Sequence, residues 1–153
     1  MKNQELLKEA INLHLSGKKT KAIEVYRKIL ISEPSNLIVL NNLASLLNTI
    51  NKYKEAKILL KQALKIKPDY IDALNNLGIS TKLNKEYLEA IKIFEKIVEL
   101  KPNFIKAFIN LGNCLQSQKK FEKALVIYNK ALKIEPNSVE VLYNQGTCLN
   151  ELN

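Results

Sequence analysis

The sequence predicts an all-α solenoid of antiparallel helix pairs, about four and a half units of 34 residues and nine helices. Three observations predict it. Pro34, Pro68, Pro102 and Pro136 are the chain's only prolines, and successive ones stand 34 residues apart. Aligned on them, residues 3–36, 37–70, 71–104 and 105–138 stack without a gap, and 139–153 makes half of a fifth unit. Small residues recur at the eighth position (Ala10, Ala44, Gly78, Gly112, Gly146) and at the twentieth (Ala22, Ala56, Ala90, Ala124).

Each element follows from the local chemistry. The first helix of every unit carries a bulky fourth residue, in order Leu6, Leu40, Leu74, Phe108 and Leu142, one helical turn before the small eighth. A short polar turn such as Ser16-Gly17-Lys18-Lys19 ends it. The second helix carries the small twentieth residue and a bulky twenty-fourth: Tyr26, Leu60, Phe94 and Tyr128. Proline then stops that helix, and Ser35, Asp69, Asn103 and Asn137 after it are good N-caps for the next. Small residues at fixed positions let paired axes approach to the lower end of the ~8–10 Å range. One hairpin cannot cover its own apolar face, so neighbouring units must stack, and 1–153 reads as a single repeat domain.

These residues resemble the tetratricopeptide repeat family, a helix pair per 34 residues with small residues at positions eight and twenty and proline near the end. The match covers the whole chain and implies a right-handed superhelix with a concave groove. Departures are Glu9 and Gln145, where the family has leucine at the seventh position, and Lys19, where the other units have Tyr53, Tyr87 and Phe121. All fall in the first and last units, where atypical capping repeats are expected.

Positions 4, 7, 8 and 11 of a first helix share one side, which in the second unit is Leu40, Leu43, Ala44 and Leu47. Positions 2, 6, 9 and 13 lie nearly opposite. The resemblance implies that this second stripe lines the groove. At its sixth position Asn42, Asn76, Asn110 and Asn144 repeat where the first unit has Lys8. An amide both donates and accepts, so a row of asparagines suits an extended peptide backbone. The tetrads NNLA, NNLG, INLG and YNQG resemble the asparagine ladder of the repeat domain of O-linked N-acetylglucosamine transferase. Four rungs at a net ~0.5–1.5 kcal/mol each barely offset an association cost of ~4 kcal/mol or more. Further affinity is expected from neighbours of the ladder, with Asn113, Ile79 and Tyr143 as candidates beside Leu83. The family's carboxylate clamp is not expected, because its two frames hold Leu7, Ile11, Asn42, Asp72 and Asn76, or Asn41, Ser45, Asn76, Lys106 and Asn110. Neither supplies the required cations.

Charge and composition exclude several classes. Lysine and arginine total 24 against 15 acids, a net charge of +9, and 46% of the residues are hydrophobic, so neither disorder nor a collagen-like chain fits. Residues 18–33, 52–67, 86–101 and 120–135 carry +3, +5, −1 and +2, which places the whole excess on the second helices and their flanks. Lys8 and Lys106 on the groove stripe are outnumbered by Asp72, Glu140 and Glu151, and Arg27 is the only arginine, so no specific nucleic-acid partner is expected. Lys52, Lys54, Lys57, Lys61 and Lys65 leave room for salt-sensitive attraction to anionic surfaces. No apolar run nears the ~18 residues of a membrane span, and the charged first twenty residues do not read as a signal peptide, so a cytoplasmic protein without membrane insertion is expected.

Nothing in the sequence carries chemistry. His14 has no ligand-spaced Cys or carboxylate, and Cys114 and Cys148 sit at equivalent positions of adjacent units, beyond the ~7 Å Cα limit of a disulfide if helices pack ~8–10 Å apart. Free, packed thiols are expected. Phosphate-binding, zinc-binding and hydrolase motifs are missing. The expectation is therefore no enzyme, no catalytic residue, no cofactor and no metal, but an interaction module that takes a peptide or partner protein in its groove. Two alternatives stay open: a substrate-recruiting N-terminal region of a larger enzyme such as a glycosyltransferase, and a structural element that self-associates through 139–153, where Leu142, Leu149 and Leu152 lack a following helix.

Overall fold

The structure is a computed structural model that describes residues 2–152, and among them it contains helices and no strand. The helices are α1 (Lys2–Leu15), α2 (Lys19–Ser32), α3 (Leu37–Asn48), α4 (Tyr53–Ile66), α5 (Ile71–Leu83), α6 (Tyr87–Leu100), α7 (Ile105–Ser117), α8 (Phe121–Ile134) and α9 (Val139–Leu152). The all-α expectation and the count of nine helices therefore hold among the described residues. The chain divides into two compact units, Met1–Ser80 and Thr81–Asn153.

In the first unit α1 packs on α2, α2 on α3 and α3 on α4. Its core draws on the predicted stripe, with Leu40, Leu43, Ala44 and Leu47 all buried, as are Ala22 and Tyr26 of α2 and Ala56 and Leu60 of α4. In the second unit α6 packs on α7, α7 on α8, α8 on α9, and α7 also meets α9. Its core is built from Phe94, Ala107, Phe108, Leu111, Cys114, Ala124, Tyr128, Val141 and Cys148. The repeated small residues are buried except Gly146 of the last repeat, which is partly exposed, and Ala10, Ala22, Ala44, Ala56, Ala90 and Ala124 have no exposed surface.

The first helices of the four complete repeats, α1, α3, α5 and α7, end in the same way. Gly17, Asn51, Lys85 and Lys119, fifteenth in their units, take positive φ of 74°, 61°, 63° and 55°. The next residue then donates its N–H five residues back, Lys18 to Leu13 O at 2.9 Å, Lys52 to Leu47 O at 2.9 Å, Glu86 to Thr81 O at 3.0 Å and Lys120 to Leu115 O at 2.9 Å. These are Schellman caps, which satisfy helix-end carbonyls through a left-handed residue. Only the first unit uses glycine there.

The prolines work differently from the sequence expectation. Ser35, Asp69, Asn103 and Asn137 do not cap helices. Each is the third residue of a β-turn with proline second, closed by Asn36 N–H to Glu33 O at 3.1 Å, Tyr70 N–H to Lys67 O at 3.2 Å, Phe104 N–H to Lys101 O at 3.0 Å and Ser138 N–H to Glu135 O at 3.2 Å. Proline's fixed φ suits the second turn position, and short polar residues suit the third, so the cap moves one residue on. For α3, which opens the second repeat, Asn36 is that cap, its Oδ1 accepting from Val39 N–H at 3.1 Å.

Candidate functional site

The amide stripe of the first helices forms a separate polar face on each unit. On the first unit, Asn42 and Asn76 are partly exposed, while Asn41, Asn48 and Ser80 behind them are buried. Asn76 Nδ2 donates to Asn41 Oδ1 at 2.8 Å, and Asn48 Nδ2 donates to the Asn76 carbonyl at 3.3 Å. Ser80 Oγ lies 2.8 Å from both Asn48 Oδ1 and the Asn76 carbonyl, and its single proton serves one at a time. Asn42 on α3 faces Tyr26 on α2. Burial raises the Tyr26 hydroxyl's pKa while the Asn42 amide opposes that shift. The amide makes no hydrogen bond of ordinary geometry with that buried hydroxyl. Ile79 is partly exposed on the same helix as Asn76.

On the second unit, Asn110, Asn113 and Asn144 are partly exposed. Lys82 Nζ donates to Asn110 Oδ1 at 2.6 Å, and Asn110 Nδ2 donates to the Lys106 carbonyl one turn earlier at 3.0 Å. Asn113 Oδ1 accepts twice, from Asn144 Nδ2 at 3.0 Å and from the Tyr128 hydroxyl at 2.6 Å. That hydroxyl also lies 3.2 Å from Gln116 Oε1. Tyr128 is fully buried, and burial, ahead of the nearby Cys148 and Cys114, raises its pKa well above the ordinary tyrosine range. Tyr143 stands beside Asn144 in the chain with three quarters of its surface exposed.

The sequence-predicted amides are thus already used in part by the protein itself. Asn76 and Asn144 each reach the preceding repeat, and Asn110 is reached from it. Spare capacity remains at Asn42, at Asn76 Oδ1 and at Asn144 Oδ1. The braces come from residues that the groove stripe did not include, Asn41, Asn48, Ser80 and Lys82. A signal for two of them exists in the sequence, because the twelfth position is polar in every unit: His14, Asn48, Lys82, Gln116 and Asn150. Asn48 and Lys82 both reach the sixth-position asparagine 28 residues on.

Among the described residues no group of three His, Cys, Asp or Glu could hold a metal ion, and no helix is long and apolar enough to cross a membrane. His14 packs edge-on against Tyr26, ring centroids 6.2 Å apart, and burial lowers its pKa with Lys19 adding to the effect. Cys114 and Cys148 are free and buried.

Family models of the tetratricopeptide repeat match residues 38–70, 71–104 and 105–138. No curated protein matches the chain significantly in sequence. Among solved structures, the crystal structure of MamA protein superposes with a TM-score of 0.89 at 21% identity, covering 98% of this chain and 82% of that one. A MamA from Desulfovibrio magneticus RS-1 gives 0.84 at 23% identity over 90% of this chain and 77% of that one. YrrB, described as a tetratricopeptide repeat protein with an unusual peptide-binding site, gives 0.78 at 22% identity over 95% of this chain and 75% of that one.

Proposed function

The chain belongs to the tetratricopeptide repeat family, and from that premise we propose that it is a non-catalytic interaction module that binds an extended segment of a partner protein on the first-helix face. Each unit carries its own amides for a peptide backbone, Asn42 and Asn76 on the first and Asn110, Asn113 and Asn144 on the second. Ile79 and Tyr143 contribute apolar contact beside them. The observation that carries this reading is the spare hydrogen-bonding capacity of a repeated row of amides next to an exposed Tyr143. Tyrosine offers large contact area at low entropic cost. The fold shared with YrrB, whose description includes a peptide-binding site, supports the same class of ligand.

The test is selection of binders from a random library of twelve-residue peptides presented with free C-termini, followed by titration of synthetic copies. Peptides that bind the wild type are expected to lose several-fold affinity for Tyr143→Ala, a change at an exposed side chain that leaves the fold intact. Recovery of no peptide, or binding by both Tyr143→Ala and Asn144→Ala equal to that of the wild type, overturns the reading.

A second reading, self-association through α9, is favoured by one observation. Val139, Leu142, Leu149 and Leu152 on that helix are 80%, 47%, 49% and 42% exposed. Clustered apolar exposure of this kind marks an interaction surface. Under this reading sedimentation shows a concentration-dependent dimer that Leu149→Glu abolishes, and a monomer at every concentration excludes it.

A further inference from the structure

We infer that Lys82 is a recognition point for a carboxylate of the bound peptide, on the face of the second unit that also carries Asn110 and Asn144. The inference rests on the peptide-binding reading above and names the chemistry that this part of the face selects. Lys82 is half-buried near the end of α5, yet it forms no ion pair among the described residues. Its hydrogen-bond partner among the described residues is neutral, the Oδ1 of Asn110 at 2.6 Å. Asn110 is itself oriented, because its Nδ2 donates to the Lys106 carbonyl at 3.0 Å and so turns Oδ1 toward the lysine. An ammonium has three donors. Asn110 takes one, and among the described residues no oxygen is in place for the other two.

Partly burying a cation opposite an amide alone leaves its lost hydration incompletely replaced. The direction of the Lys82 shift agrees, since burial pushes it below the ordinary lysine range while Cys114 and Glu140 oppose that. Glu140 is therefore near enough to be felt but does not close an ion pair. Lys106 is exposed on the neighbouring helix and adds positive charge. An incoming carboxylate brings the missing negative charge and two acceptor oxygens, in bonds stronger than those between neutral groups. The site is not the family's clamp, because Lys82 stands at the twelfth position of its unit, outside both clamp frames.

The same library of twelve-residue peptides with free C-termini tests it, selected in parallel against the wild type and Lys82→Met, which keeps the apolar length of the side chain. Wild-type binders are expected to carry an acidic group at a fixed register, and Lys82→Met binders to lack it. For a synthetic wild-type binder, neutralising that group lowers affinity about tenfold. If Glu→Gln in the peptide causes the loss, the group is a side chain; if amidation of the C-terminus causes it, the group is the terminal carboxylate. The peptide comparison uses only wild-type protein, so it stands even if Lys82→Met folds poorly. Binders without acidic preference, or a preference that persists in Lys82→Met, overturn the inference while leaving the peptide-binding reading in place. Recovery of no peptide removes both.

Discussion

Gly112 lies directly under the ring of Tyr128, so close that a Cβ on it would fall 2.3 Å from Cε1 and 2.6 Å from Cζ. The ring cannot withdraw, because it is fully buried and its hydroxyl is held by Asn113 at 2.6 Å. Gly112→Ala is therefore expected to destabilise the protein by about 2–3 kcal/mol through overpacking. Gly146 holds the equivalent position in the last unit, and a Cβ there meets nothing within 4 Å. Gly146→Ala removes a helix-interior glycine without a clash and should stabilise by up to about 1 kcal/mol. Urea unfolding of the pair measures both, and equal effects would contradict the packing described.

The four Schellman caps make a second contrast. Lys119 holds φ of 55° where Gly17 holds 74°. A side chain in the left-handed region costs about 1 kcal/mol, and glycine avoids that cost. Lys119→Gly should raise stability by about 0.5–1 kcal/mol. Gly17→Ala should lower it by about 1 kcal/mol through backbone strain alone, because a Cβ at residue 17 meets nothing within 4 Å. Unfolding midpoints that move the other way would mean that the caps rearrange on substitution.

Asn76 and Asn110 show where solvated amides and structural amides part company. A row of exposed asparagines would be removable at no cost to stability. Here Asn76 Nδ2 is bonded to Asn41 at 2.8 Å and Asn110 Oδ1 to Lys82 at 2.6 Å. At about 0.5–1.5 kcal/mol per bond, the double variant Asn76→Ala/Asn110→Ala should lose about 1–3 kcal/mol of stability. An unchanged melting temperature would show these two bonds to be worthless in solution, and would return the pair to the purely ligand-facing role that their phase suggests.

What could be read before the structure was whatever repeats along one helix. The 34-residue proline spacing, the small eighth and twentieth residues and the buried stripe of Leu40, Leu43, Ala44 and Leu47 are all of that kind, and all are where periodicity puts them. The helix starts were displaced by one residue because a turn and a cap compete for the same short polar residues, and proline at the second turn position decides for the turn. The braces from Asn48 and Lys82 were invisible for a different reason. Their partners lie 28 residues away on another helix, and the stripe geometry of a single helix says nothing about what a side chain reaches across a gap. A polar residue at the twelfth position of every unit was the available hint.

Cys114 supplies a test by pH. Burial pushes its thiol from the usual cysteine value up to about 11, against the opposing charge of Lys82. The unfolded chain releases this proton near pH 8.5, whereas the folded chain keeps it until about 11. Between these values the folded state binds more protons, so the contribution is whole below the unfolded pKa and drains away as pH climbs toward the folded one. Cys148 and Tyr26, also shifted up by burial, act in the same direction. The urea midpoint should therefore hold steady from pH 7 to 8 and then fall through pH 10.5. Cys114→Ala will start from a lower midpoint because it leaves a cavity, but its decline over the same range should be shallower. Parallel declines would mean that the thiol ionises freely in the folded protein. Rapid reaction of native protein with a thiol reagent at pH 8 would carry the same message, since a buried, protonated thiol reacts slowly.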